Sequence, residues 1–270
     1  MIIAVDIGSQ TLIIASLDKT GAITKQMEFL TPVLANDCLG LIQATIAKDF
    51  TDKKPSAIVI GVPGVVRHHI VEWCSNLGDD WIGFDFRPEL EKVFKVPVLV
   101  ENDANLGGLA EAVNITPTPK SLIYLSIGAG IGSGCVIDGK LPSALLDSEA
   151  GMMMLEYDGV VQTWENFASG KAISEAYNQL AKNIKNPAIW DAIADRISRG
   201  LLMLIPILQP RYIVIGGSIG GSFDQYQQTL NDLIDERLPV NLRRPQILPA
   251  KDPKLSVIYG CYQYFKHHDQ

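Results

Sequence analysis

Glu101-Asn-Asp-Ala-Asn105 follows the apolar run Pro97-Val-Leu-Val100. A carboxylate at the C-terminal end of a strand, next to an amide, is a natural general base with a hydroxyl-orienting neighbour. In that reading Asp103 takes a proton and Asn102 orients the group that gives it. The residues fit a second role equally well. Asp103 or Asn102 caps a helix beginning near Ala104, with Asn105 on its first turn. A cap does not exclude catalysis.

Three glycine-bearing turns could hold phosphate or a nucleotide. In Asp6-Ile-Gly-Ser-Gln-Thr11, Gly8 permits close approach, Ser9 and Thr11 supply hydroxyls, and Asp6 is placed to hold a magnesium ion through water. An ordinary β-turn would look the same. Ile127-Gly-Ala-Gly-Ile-Gly-Ser-Gly134 has four glycines in seven positions, which a plain strand disfavours and a close-approach loop requires. Its G-x-G-x-x-G spacing is not a dinucleotide fingerprint, because Cys135-Val-Ile reads as a strand where that motif needs a helix. Gly216-Gly217-Ser218 leaves either a flat slot for a base or ribose, or simply a tight strand-to-helix turn.

These residues need strands and helices to position them. Ile2–Val5, Thr11–Leu17 and Ala22–Phe29 read as a β-meander, with Asp18-Lys-Thr-Gly21 as one hairpin turn. The plan of strand, glycine turn, strand and Asp/Gly hairpin recurs at Leu122–Ile127, Gly128–Gly132 and Ser133–Ile137, ending on Asp138-Gly139. The repeat implies two similar lobes. Helices are expected at Asp37–Phe50, Ala104–Val113, Ala172–Ile184, Ala188–Leu208, Phe223–Arg237 and Leu255–His267. Further strands are expected at Ala57–Val62, Val96–Val100 and Tyr212–Ile215, with an aromatic loop between the first two. Hairpin strands followed by strands alternating with helices indicate an α/β chain with mixed sheets.

Composition bounds the function. The 270 residues carry 47% hydrophobic and 20% charged side chains, as in a globular enzyme. A net charge of −7 argues against a nucleic-acid binder, and no apolar run is long enough to span a membrane. The start at Met1 reads as a strand rather than a signal peptide, so the expected compartment is the cytoplasm. Cys38, Cys74, Cys135 and Cys261 are scattered singly and read as reduced, buried small hydrophobes. His68-His69 and His267-His268 read as exposed loop and tail residues, and Trp73, Trp81, Phe84 and Phe86 as loop packing.

Taken in this order, the segments resemble the ROK family of bacterial glucokinases, N-acetylhexosamine kinases and related repressors, within the actin, hexokinase and Hsp70 ATPase superfamily. Asp6–Thr11 and Gly128–Gly134 are similar to the two phosphate motifs, Gly61-Val-Pro-Gly-Val65 to the Val-Pro-Gly element, and Ser75-Asn76-Leu77 to the sugar-contacting Asn-Leu. Glu149-Ala-Gly151 resembles the start of Glu-x-Gly-His, Trp164–Gly170 the Leu-Glu-x-x-x-Ser-Gly element, and Ile213–Gly217 the adenosine motif.

The resemblance implies two ribonuclease H-like lobes with mixed sheets flanking a central cleft: residues 1–115 and 116–254, with a closing helix 255–270 packed back on the first. It implies an ATP- and magnesium-dependent hexose kinase acting on a glucose-like 6-hydroxyl, with Asp103 as base. Asn76, Asn102, Asp103, Glu149, Glu165 and Gly64 would hold the sugar. Asp6, Gly8, Ser9, Gln10, Thr11, Gly128, Ala129, Gly130, Gly132, Gly216 and Gly217 would hold ATP. Partners would be the sugar and a second copy of the chain, with neither nucleic acid nor membrane.

The sequence also departs from the family pattern. Met152 stands where the family has histidine, and no cysteine cluster lies between Tyr157 and Trp164, so no structural zinc is expected. Met152–Met154 would pack as an apolar patch instead. Ala129 replaces a threonine, and Gln10 stands where glycine or threonine is usual. A sugar-binding regulator with weak catalysis is the alternative. A repressor is disfavoured because the first phosphate strand begins at residue 2, leaving no room for a DNA-binding domain. A pantothenate kinase-like enzyme shares the first motif but lacks an account of Glu101–Asn105 and the Glu149/Glu165 pair.

Overall fold

The computed structural model describes residues 1–74 and 76–268. The chain divides into two compact units, Met1–Ala110 with Val257–Gln270, and Glu111–Ser256.

The first unit is built on β1 (Ile2–Ile7), β2 (Thr11–Leu17) and β3 (Ile23–Leu30), then α1 (Ala35–Asp49) and β4 (Ile58–Val62). A hairpin of β5 (Val65–Arg67) and β6 (Ile70–Trp73) follows, then α2 (Arg87–Phe94), β7 (Val98–Asn102) and α3 (Asp103–Asn114). Its five-stranded sheet runs β3-β2-β1-β4-β7. The β1–β2 and β2–β3 pairs are antiparallel, whereas β1–β4 and β4–β7 are parallel. Ile2–Val5 and the whole of β4 are buried, so they read as unbroken apolar runs. Edge strand β3 exposes Thr24–Gln26, and polar side chains there blunt the open edge. Helix α1 turns Ala35, Cys38, Leu39, Ile42 and Ile46 inward along one stripe.

The second unit carries β8 (Ser121–Ile127) and β9 (Ile131–Ile137), then a hairpin of β10 (Met154–Tyr157) and β11 (Val160–Thr163). Helices α4 (Trp164–Ala168), α5 (Gly170–Tyr177) and α6 (Pro187–Leu208) follow, then β12 (Tyr212–Gly216), α7 (Gly217–Gly220), α8 (Gln227–Arg237) and β13 (Gln246–Pro249). The sheet order is β13-β12-β8-β9, parallel except for the antiparallel β8–β9 pair. The longest helix, α6, starts where Asn186 Oδ1 accepts from Ala188 N and Pro187 occupies the first turn. Trp190, Ile193, Ala194, Ile197, Leu201, Leu204 and Ile205 form its buried stripe. Each large side chain there contributes roughly 1.5–3 kcal/mol. The last element, α9 (Ser256–His268), belongs to the first unit from Val257 onward.

Several expectations are corrected. Strand β1 runs through Ile7, so Asp6 is its penultimate residue rather than the start of a turn. The helix expected at Ala172–Ile184 ends at Tyr177, where Asn178 adopts a left-handed conformation (φ 51°). The helix expected at Phe223–Arg237 is a short tight turn followed by α8. The aromatic loop contains the β5–β6 hairpin, with Trp81 and Phe86 buried in the core. His69 is no loose loop residue: its Nδ1 lies 2.9 Å from Val100 O and 3.1 Å from Val100 N, against the edge strand β7.

The Met152–Met154 stretch is not a packed patch either. Met153 packs on the core, but Met154 opens β10 and is 61% exposed. The hairpin is held by Tyr157, whose ring stacks on Phe167 at 4.5 Å, with Arg196 and Arg199 each about 5 Å over it. Strand β13 had no sequence forecast, being a short run between Pro245 and Pro249.

Candidate active-site residues

In the first unit, parallel pairing places three residues on one rung: Asp6 of β1 opposite Gly61 of β4, and Gly61 opposite Glu101 of β7. The centre of that rung must be glycine. A Cβ on Gly61 would lie 2.6 Å from Val257 of α9 and 3.0 Å from Leu106 of α3. Beyond the rung, β4 continues into Pro63-Gly64. Gly64 has φ +91°, and a Cβ there would meet Trp73 O at 2.1 Å, so no other residue fits. Gly64 O in turn accepts a 2.7 Å hydrogen bond from Asn102 Nδ2.

Asn102 therefore has both ends of its amide engaged. Its Oδ1 accepts from Asn105 N at 2.9 Å, which caps α3. Asn102 is only 4% exposed, so its first duty is to tie β7 and α3 to the Gly64 turn. Asp103 follows as the first residue of α3 and is half-buried. Burial pushes its carboxyl up to about 6, against the lowering effect of hydrogen bonds from the Ala104 and Asp103 N–H groups. Asp6 is raised well above the usual carboxylate range, by burial first and then by the negative charge of Asp103. The two acids are electrostatic neighbours in a shielded place, and burial pushes each toward its protonated form.

Glu101 was not a sequence candidate. Its buried carboxylate accepts from Asn102 N at 2.8 Å and Asn105 Nδ2 at 3.0 Å, and bonds to Tyr264 of α9. It thus fixes the backbone that carries Asp103. The sequence signal was its place in the same five-residue motif. The first glycine turn is pinned as well: Gly8 N donates to Thr11 O at 2.9 Å, and Thr31 Oγ1 donates to Gly8 O at 2.6 Å. Ser9 and Thr11 are half-buried, and Gln10 is exposed. Asn76 is half-buried and Leu77 packs against the core, whereas Ser75 lies outside the described residues.

In the second unit the expected segments converge on the β8–β9 turn. Gly128 N donates to Gly130 O at 2.9 Å, and Gly128 O accepts from Lys171 N of α5 at 3.3 Å. Gly217 (φ +71°) sits so near Ile127 that a Cβ would lie 2.5 Å from its carbonyl, and Gly170 is held between Gly128 and Ser218. Buried Gly216 packs against the Tyr124 hydroxyl, and half-buried Gly132 pairs with Ser126. Glu165 Oε2 accepts from Ile131 N at 3.2 Å. The Glu149 segment packs on the same strand: Ser133 Oγ donates to Ser148 O and accepts from Ala150 N, while Gly151 abuts Ile131. Both glutamates are half-buried. Gly128, Ala129, Gly130, Glu149, Glu165 and Gly216-Gly217 are therefore one neighbourhood within this unit.

This architecture is shared with solved structures. A ROK family glucokinase from Streptomyces griseus, in complex with glucose and AMPPNP, matches with a TM-score of 0.83 at 20% identity, over 96% of this chain and 97% of that one. A putative N-acetylmannosamine kinase from Listeria monocytogenes matches with a TM-score of 0.82 at 23% identity, over 99% of each. The fold is that of the ROK sugar kinases, of the actin-like ATPase type. A family model for the ROK family matches residues 2–267, and the chain belongs to that family. It is 26% identical to the N-acetylmannosamine kinase of Vibrio cholerae, over 98% of this chain and 99% of that protein. It is also 26% identical to the xylose repressor of Caldicellulosiruptor bescii, but spans only 65% of that protein's length.

Proposed function

We propose that the protein is an ATP-dependent hexose kinase that phosphorylates the 6-hydroxyl of a glucose-like sugar, with Asp103 as the general base. The observation that carries this is the Asp103 carboxyl, raised to about 6 by burial and mounted on a turn held by Asn102 and Glu101. Such a carboxylate is ionised at neutral pH and still basic enough to receive a hydroxyl proton. The sugar oxygen attacks the γ-phosphorus, the bond to the bridging oxygen of ADP breaks, and the proton passes to Asp103.

Asn76, Asn102, Gly64, Glu149 and Glu165 are assigned to sugar hydroxyls. Asn102 has one amide hydrogen beyond its bond to Gly64 for that purpose. Asp6, Gly8–Thr11, Gly128–Gly130, Gly132 and Gly216-Gly217 are assigned to the nucleotide. The Asp6 and Asp103 pair fits a divalent cation, because mutual repulsion in a shielded site is relieved by one. A magnesium ion at Asp6, held through water, would neutralise charge on the phosphates. The protein is further proposed to be cytoplasmic and dimeric. Among the described residues no helix is long and apolar enough to cross a membrane.

The test is ADP release with Mg-ATP and glucose, mannose, fructose, N-acetylglucosamine or N-acetylmannosamine, with D103N beside the native protein. Turnover on one sugar, reduced at least about 100-fold in the variant, supports the kinase and names its substrate. Equal rates in both proteins would rule out Asp103 as base. Sugar-dependent thermal stabilisation without any turnover would favour a regulator instead.

A further inference from the structure

The β8–β9 turn offers a polyphosphate backbone donors but no side-chain donor of its own. Gly128, Ala129 and Gly130 have no side-chain donor. Of the backbone N–H groups there, that of Gly128 is given to Gly130 O and that of Ile131 to the Glu165 carboxylate. Glu165 also places a negative charge at the turn, which a phosphate must tolerate. Three segments meet there: 127–132, 165–171 and 216–220. Among them Lys171 is the one cationic side chain.

Its position is fixed by backbone. Lys171 N donates to Gly128 O, and the preceding Gly170 is wedged against Gly128 O and Ser218 Oγ, each within 3 Å of where its Cβ would be. Ser169 Oγ caps the helix by accepting from Ala172 N at 3.1 Å, which sets the first turn of α5. On a helix the Cα–Cβ bond tilts toward the N-terminus, which for α5 is the end that carries the Lys171 N to Gly128 O contact. The residue is exposed and has no ion pair among the described residues. Its helical neighbour Glu175 stands in the less favourable order for a lysine–glutamate pair.

We propose that the Lys171 ammonium binds the phosphate chain of the nucleotide at the β8–β9 turn, as the cation that offsets Glu165 there. The inference rests on the kinase reading and names the residue that makes the second turn a phosphate site rather than a tight corner. Lys171 is a binding and positioning residue, with no part in the proton transfer assigned to Asp103.

The experiment is calorimetric titration of the native protein, K171Q and K171R with MgADP and with adenosine, no sugar present, alongside KM for ATP and for sugar. Expected are about tenfold weaker MgADP binding and a similarly raised KM for ATP in K171Q. Adenosine affinity, KM for sugar and melting temperature stay unchanged, and arginine largely restores ADP binding. MgADP binding unaltered in K171Q would overturn the inference and leave the kinase reading intact. Equal weakening for adenosine would overturn it too, by showing a general distortion of the pocket. If the native protein binds no nucleotide, the kinase reading fails and the inference with it.

Discussion

Carboxylates at positions 6, 101 and 103 share one end of a sheet, yet their surroundings set them different tasks. Glu101 is raised by burial but wrapped in donors from Asn102, Asn105 and Tyr264, so it holds structure. Asp103 accepts from backbone N–H groups, yet burial still raises its carboxyl to about 6, which is why it is the group proposed as the base. The five-residue motif offered Asn102 as a helix cap, and the structure shows that cap in the bond from Asn105 N to Asn102 Oδ1. What the motif did not show is that Asn102 gives its amide to Gly64, a residue 38 positions away. Gly64 offers a test at this scale. Gly64→Ala combines a strained φ of +91° with a 2.1 Å clash on Trp73 O, and should destabilise the protein by at least about 1–3 kcal/mol. Chemical denaturation checks it, and an unchanged midpoint would contradict the tight-turn account.

Elements were legible where burial and period agree. The strands buried on both faces and the long stripe of α6 follow from runs of Ile, Val, Leu and Ala that few other environments accept. Helix ends were not, because they depend on local hydrogen bonds. Ser169 splits α4 from α5 by capping the second, and Asn178 ends it in a left-handed turn. Removing the cap in Ser169→Ala should cost about 1 kcal/mol in urea denaturation, and should weaken MgADP binding if α5 is the phosphate element.

Besides shared core packing, α6 and α8 are joined by an ion pair. Burial alone would raise the Asp195 carboxyl, but hydrogen bonds and charge from Arg237 and Arg199 hold it below the usual range. A depressed acid adds stability above its unfolded value, near pH 3.9, and loses it as pH falls through the lower folded value. Asp195→Asn should therefore cost about 0.5–1 kcal/mol at pH 7, since the pair is partly exposed. Melting temperatures of native and variant should converge below about pH 4. A constant difference down to pH 2 would contradict the ion-pair origin.

At the scale of the molecule, each unit has its own core, and the chain leaves the first at Ala110 and returns to it at Val257. The return is made by close backbone contact. Gly260 of α9 sits where a Cβ would fall 1.9 Å from Leu106 O of α3. Gly260→Ala should lower the melting temperature by several degrees, because backbone cannot yield as a side chain can. A shift under one degree would show that the helices can separate without loss.

By itself the sequence determined the α/β class, the membership of the ROK family and the motifs Asp6–Thr11, Glu101–Asn105, Gly128–Gly134 and Glu165–Gly170. Each of these is written in contiguous residue types. Only the tertiary structure decided which motifs touch: Asp6 level with Gly61 and Glu101, Glu165 on the Ile131 amide, Lys171 on the Gly128 carbonyl. Those contacts join residues far apart in the chain, and strand register and backbone packing, which no local pattern encodes, bring them together.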